Sequence, residues 1–165
     1  MNFVLPLFSS SLKDSMDSRD QIIASMLAQE GVEMVQNIRD TNVLKDGQDN
    51  VFKNNFAPNA RSIGLRVDYN KSDLVWGNGF YKLRLDNNGY YVEADITRTT
   101  RVRFRRRIMV FYYDNSGNSV NKNLASKAVV TSVVSWDDEV PPLLTGDCDN
   151  KPKCKYATLV LTKWN

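Results

Sequence analysis

The first third of the chain carries apolar residues at helical spacing, and that run limits the possible folds more than any other feature. Leu12, Met16, Ile23, Leu27, Met34, Val35 and Ile38 fall on one stripe, which Ile22 and Met26 widen. The spacing predicts one amphipathic helix over residues 12–44, a rod roughly 50 Å long. A helix of that length cannot bury its own stripe, so another element must cover it. The remainder of the chain is rich in alternating β-branched and aromatic residues, so the expected cover is a sheet. Such a rod is longer than a domain of 165 residues needs, and residues 9–20 are nearly all polar, so its first half is expected to protrude. Gly31 lies inside the helix, where glycine costs about 1 kcal/mol relative to alanine. It marks either a close approach of the sheet to bare helix backbone or a tolerated weak spot. Pro6 would bend or loosen a helix entering from upstream.

After Leu44 the pattern breaks into the turn cluster Lys45-Asp46-Gly47-Gln48-Asp49-Asn50. Residues 51–76 are mixed and read as a long connection ending at Leu74-Val75-Trp76. Residues 81–85 and 90–93, separated by Asp86-Asn87-Asn88-Gly89, spell a hairpin in which the Asn-Gly pair supplies left-handed positions. Residues 102–113 form the next strand, with Val102, Phe104, Ile108, Val110 and Tyr112 inward and Arg101, Arg103, Arg105 and Arg107 on the other face. Arg106 reads as an interruption of this alternation that reaches past the sheet edge or marks a bulge. Asp114-Asn115-Ser116-Gly117-Asn118 turns the chain. Residues 128–136 and 156–164 are two further strands of matched length. The loop over residues 137–155 between them holds Pro141-Pro142 and both cysteines, and loops of that length are often functional or specially tied down.

Composition excludes several chemistries. With no histidine, every Ser-His-Asp or Cys-His arrangement is ruled out and most zinc sites with it. Cys148 and Cys154 are too few for zinc and lack a C-x-x-C redox spacing. A disulfide is the expected state, the alternative being two free thiols in a surface loop. A disulfide implies an oxidising, extracytoplasmic location and a contribution of roughly 2–2.5 kcal/mol for so short a ring. The apolar stretch at residues 2–8 is far short of the roughly 20 residues that span a bilayer. Asp147 and Asp149 could clip a calcium ion loosely, but the loop lacks the EF-hand register. The acidic run Asp137-Asp138-Glu139 is ordinary for a loop. No catalytic site, cofactor site or metal site is expected.

Two groups of residues remain as candidates. Arg101, Arg103, Arg105 and Arg107 could grip phosphates while Phe104, Phe111, Tyr112 and Tyr113 stack bases. The plainer alternative pairs these arginines with carboxylates such as Glu93 and Asp95 on the neighbouring strand. The net charge of +3 adds no global attraction to nucleic acid. On the helix, Ile23, Leu27, Met34, Val35 and Ile38 are expected to pack against the sheet. Glu30, Glu33 and Arg39 either reach the sheet or a neighbouring subunit or are solvated helix charges.

The run Ala28-Gln29-Glu30-Gly31-Val32-Glu33, continuing to Asn37-Ile38-Arg39-Asp40-Thr41-Asn42, resembles the helix of bacterial type IV pilin-like proteins. Gly89-Tyr90-Tyr91 ahead of an arginine-rich strand, Ser132-Val133-Val134-Ser135-Trp136 and a last strand ending in Lys163-Trp164 extend the likeness over most of the chain. The resemblance implies an α+β pilin-like fold, with a long N-terminal helix packed on a four- or five-stranded antiparallel sheet. It divides the chain into a stalk helix over residues 1–44 and a β-rich head over residues 45–165, forming one structural domain. It further implies a non-enzymatic subunit of a type IV pilus or secretion pseudopilus. That subunit would be anchored in the membrane through an apolar N-terminal segment, trimmed by a prepilin peptidase and polymerised with other pilin subunits at the cell surface. The cleavage motif and the acidic residue shortly after it, within the apolar half, do not occur in this sequence, and residues 3–8 with Pro6 resemble the end of that apolar half. DNA, through the arginine strand, and a host or cell-surface glycan, through Trp76, the tyrosines and the cysteine loop, are the alternative ligands of such a head.

Overall fold

A computed structural model describes residues 4–47, 51–52, 56, 61–67, 74–76, 79–94 and 102–163. The chain is an α+β protein, with one long helix laid on an open antiparallel sheet. The helix is α1 (Val4–Asp46), followed by β1 (Arg61–Arg66), β2 (Val75–Trp76), β3 (Tyr81–Leu85), β4 (Tyr91–Glu93), β5 (Phe104–Tyr113), β6 (Lys127–Trp136), the short α2 (Gly146–Asp149) and β7 (Cys154–Thr162). Pro6 falls in the first turn of α1, where its missing N–H forfeits no intrahelical bond.

β5 is the spine of the sheet. One of its edges pairs with β6 over its whole length, and β6 pairs in turn with β7. Its other edge is shared by two shorter strands. β3 pairs with it through Tyr81–Arg106, Lys82–Arg105 and Leu83–Phe104, and β1 takes over from Ile108 to Phe111. β1 is a strand that the mixed composition of residues 51–76 did not reveal. β4 pairs with β3 and β2 with β1, ending the two branches on this side, while β7 is the edge strand on the other. The five longest strands, β1, β3, β5, β6 and β7, have five to ten residues each.

Strand alternation gives the sheet two faces, and each is covered. α1 lies across β7, β6 and β5, and Leu27, Ala28, Val32, Val35 and Ile38 meet Phe104, Ile108, Val110, Val130, Val134 and Leu161 in the main core. Burying each large apolar side chain here stabilises the fold by roughly 1.5–3 kcal/mol. Val51, Phe52 and Phe56 enter the same core, the two rings lying 5.6 and 6.4 Å from Tyr112. The opposite face carries Met109, Val133, Ile63 and Phe111, and the loop between β6 and β7 lies on it through Cys148 and Cys154.

Two local motifs repeat. At Asp86 and again at Asp114, the carbonyl oxygen accepts from the glycine three residues on, Gly89 or Gly117, at 3.2 Å. In each turn the aspartate carboxylate accepts the backbone N–H four residues on, at 2.8 Å. Only the glycine has a positive φ, 83° at Gly89 and 85° at Gly117. The hairpin therefore uses a type I turn with a glycine bulge rather than two left-handed residues at Asn88-Gly89.

Candidate functional site

The arginines of β5 are distributed over both faces of the sheet. Arg106 is even-numbered like Phe104, Ile108 and Val110, so simple alternation turns it toward α1. It neither interrupts the strand nor leaves the sheet edge, which corrects the expectation for this residue. Its side chain is fully buried, at 0 % exposure. Nε donates to the Tyr81 hydroxyl at 2.8 Å, and Nη1 donates to the Leu27 carbonyl and to Glu30 Oε2, each at 3.1 Å. Nη2 donates to the Val67 carbonyl at 3.3 Å. The guanidinium also lies 5.4 Å from the Tyr81 ring centroid. Desolvation pulls its pKa down, and the Tyr81 and Glu30 oxygens more than offset this, leaving it above the ordinary arginine value.

Gly31 makes this arrangement possible. A Cβ built there would lie 2.3 Å from Ser132 Oγ and 3.2 Å from Arg106 Cδ. The glycine is thus the close-approach position, not a tolerated weak spot: β6 and the Arg106 stem rest directly on the helix backbone. Glu30 reaches the sheet, as does Arg39, whose Nη1 donates to the Thr162 carbonyl at 3.4 Å and whose Nε lies 2.6 Å from Asp40. Glu33 does not reach the sheet; it is exposed and accepts from Gln29 at 3.0 Å.

Arg103 and Arg105 meet carboxylates. Arg103 bonds Asp20 of α1 and lies 3.6 Å from Asp137. Arg105 bonds Asp138 at 2.5 Å and stacks 5.7 Å from the Phe80 ring centroid. Asp137 and Asp138 occupy adjacent left-handed conformations, φ 53° and 68°, at the end of β6. Aspartate tolerates that region better than most residues, and the turn aims both carboxylates back across the end of the sheet. Lys153 closes the group, 3.0 Å from Asp137. The plainer alternative of carboxylate pairing therefore holds for Arg103 and Arg105, though through Asp20, Asp137 and Asp138. Arg101 and Asp95, and the Glu93 side chain, lie outside the described residues. Arg107 is buried on the loop-facing side, and burial pushes its pKa down.

Asp20 is the least foreseeable residue of this group. It is 1 % exposed and begins the buried face of α1, although it belongs to the polar stretch expected to protrude. Desolvation raises its carboxyl above the usual 3.8, against the opposing pull of Arg103.

N-terminal to Asp20, residues 10–19 of α1 are exposed or half-buried. Leu12, Met16, Ile22 and Met26 are exposed to 53, 60, 62 and 67 %; helical periodicity puts Ile22 and Met26 on the side of α1 away from the sheet, whereas Leu12 and Met16 continue the line of the buried stripe N-terminal to Asp20. Ile22 and Met26 thus form a second stripe and do not widen the first. Of the residues expected to pack on the sheet, Leu27, Val35 and Ile38 are buried, and Ile23 and Met34 are partly buried against the same core. Ala24, Ala28 and Val32 complete that face. Ala24 and Ala28 are small residues that give little apolar signal in the sequence.

Cys148, in α2, and Cys154, the first residue of β7, form a disulfide with Cα atoms 5.3 Å apart. Both are buried, so the bond ties the loop over residues 137–153 down onto the sheet. Among the described residues no group of three or more acidic or cysteine side chains is arranged to hold a metal ion, and no helix is long and apolar enough to cross a membrane.

These features define a class: an α+β protein whose long N-terminal helix is clamped to an antiparallel sheet and whose C-terminal loop is disulfide-bonded. The arrangement is compatible with a pilin-like fold. Comparison with protein-family models, curated proteins and solved structures finds no match to this chain.

Proposed function

We propose that the chain is a structural subunit of a type IV pilus or related filament at the cell surface, assembling with other subunits through α1. The observation that carries this reading is the set of exposed apolar residues along the N-terminal half of α1. Ile22 and Met26 project from the face of α1 opposite the sheet, and Leu12 and Met16 stand exposed where the line of the buried stripe runs on beyond Asp20; exposed apolar residues repeated along a helix favour packing against another helix. The clamp at Arg106 and Gly31 supports it, because a rigid junction between helix and sheet transmits load from a packed stalk to the head. The ion pairs of Arg103 and Arg105 favour this reading over DNA binding, since charge already neutralised by Asp20, Asp137 and Asp138 releases fewer counterions from a phosphate backbone. The buried disulfide suits an oxidising compartment.

The test compares Met16→Glu and Met26→Glu with the unaltered chain in cells that express it. Surface filaments sheared from those cells should contain the chain and should be lost in both variants, while the unfolding free energy of each variant stays within about 0.5 kcal/mol of the unaltered chain's. Absence of the chain from sheared filaments, or filaments unaffected by both changes, would refute the assignment. A gel shift across salt concentrations with Arg103→Gln and Arg105→Gln separates the DNA alternative. It should show no binding that depends on these two residues.

A further inference from the structure

Arg107 is the one arginine of β5 that the described residues leave without an acceptor. It is 6 % exposed, and its Nε is buried with no hydrogen-bond partner. An unpaired buried guanidinium is unfavourable, and structures that keep one commonly use it.

The topology explains why it is bare. β3 leaves the edge of β5 at Arg106 and β1 joins it at Ile108, so Arg107 lies at the gap between two strands that share one edge. Two glycines fill that gap. Gly64 sits at the β1 irregularity with φ 79°, and a Cβ there would meet the Gly79 backbone at 2.6–2.7 Å. A Cβ on Gly79 would in turn lie 3.8 Å from Arg107 Nη2. No side chain from either residue can cover the guanidinium.

Arg107 lines a groove of about 640 Å³ with Val140, Pro141, Pro142, Leu143, Asp147, Asn150 and Lys151. The prolines are buried, and the side chains of Val140 and Leu143 stand exposed on one wall. Lys151 adds a second cation at the rim, 3.7 Å from Glu139. We propose that this groove binds a monocarboxylate carrying an apolar group, with the carboxylate on Arg107 and Lys151 and the apolar part against Val140, the prolines and Leu143. A guanidinium fork matches the two oxygens of a carboxylate. Asp147 on the same rim disfavours a second negative charge, which selects a carboxylate over a phosphate dianion. The volume suits a ligand larger than acetate.

The experiment titrates the full chain by amide NMR with 3-phenylpropionate, acetate, inorganic phosphate and 3-phenylpropanol. We expect saturable shifts at Arg107, Leu143 and Lys151 with 3-phenylpropionate, and binding at least 10-fold tighter than for the other three. Arg107→Gln should weaken that binding 10-fold or more without lowering the melting temperature, because it removes an uncompensated charge. Lys151→Gln and Leu143→Ser, both at the rim, should each weaken it about 3-fold. Absence of saturation, equal binding of the alcohol, tighter binding of phosphate, or an Arg107→Gln variant that folds and binds as before would each overturn the site. If Arg107→Gln does not fold, the two rim variants decide: weakened binding in both supports the proposal, and unchanged binding in both ends it.

Discussion

Arg106 of β5 and Glu30 of α1, 76 positions apart in the chain, meet at 3.1 Å inside the junction of helix and sheet. The contact does two things. It neutralises a guanidinium that is wholly out of water, and it fixes the rotation and height of α1, because the same guanidinium also holds the Leu27 carbonyl at 3.1 Å. A buried charge that must find several acceptors is satisfied in one register only.

Arg106→Ala should destabilise the protein by about 3–5 kcal/mol, since it breaks a buried charged network and opens a cavity. Glu30→Gln should cost less, about 1–3 kcal/mol, because Glu30 is partly exposed and Arg106 keeps its three other acceptors. Urea melts of the two single variants and the double variant should give a coupling energy well above 0.5 kcal/mol. Additive losses would show that the pair does not act as a unit.

Gly31→Ala would ordinarily stabilise a helix by about 1 kcal/mol. Here the added methyl meets Ser132 Oγ at 2.3 Å and Ser132 Cβ at 2.9 Å, so we expect a net loss of about 1–3 kcal/mol from overpacking. Ser132→Ala alone should be neutral or stabilising, because its hydroxyl is buried without a partner. Combined with Gly31→Ala it should restore part of the loss, since the Cβ contact remains. Thermal melts of the three variants check both signs.

Asp20 sets a pH dependence of definite sign. Its carboxyl pKa is raised in the folded state, first by desolvation, above the usual 3.8. Its contribution to stability is therefore fully present below that value and is lost as pH rises through the folded-state pKa. Asp20→Asn cannot ionise and removes this slope. The melting temperature of Asp20→Asn relative to the unaltered chain should thus climb as pH rises from the usual carboxyl value of 3.8 through the raised folded-state pKa, and a falling difference would contradict the assignment. The lost ion pair itself should matter little, since Arg103 is half exposed and water can replace its partner.

Reducing Cys148–Cys154, or replacing both by alanine, should cost roughly 2–2.5 kcal/mol through the freed loop. Burial of both sulfurs against Met109 and Val133 adds a packing loss for the alanine pair. Reduction alone should therefore shift the urea midpoint less than the double substitution does. The reverse order would mean that the loop stays in place without the bond.

Local pattern was enough to read α1, the Asp86–Gly89 turn, the three long strands and the pairing of the only two cysteines. Each depends on residues within one or two turns or one strand of each other, where spacing and turn chemistry act directly. Boundaries shifted by a few residues, with β7 beginning at Cys154 and not at Tyr156. β1 was not legible, because Arg61–Arg66 is half polar and its strand character comes from pairing with β5.

The sites were legible as residue types but not as an arrangement. The sequence by itself determined that a long helix needed a sheet to cover it, and that Gly31 and Arg106 departed from their local patterns. Only the tertiary structure decided that both departures have one cause: the sheet rests on bare helix at Gly31, and Arg106 enters the core beside it. The same holds for Asp20 with Arg103, joined across 83 positions, and for Arg107, left bare by the gap between β1 and β3. Charge is ordinarily a sign of exposure because ionised groups are costly to desolvate. That cost is offset only when distant segments supply matched acceptors, and which segments meet is set by the packing of the whole chain.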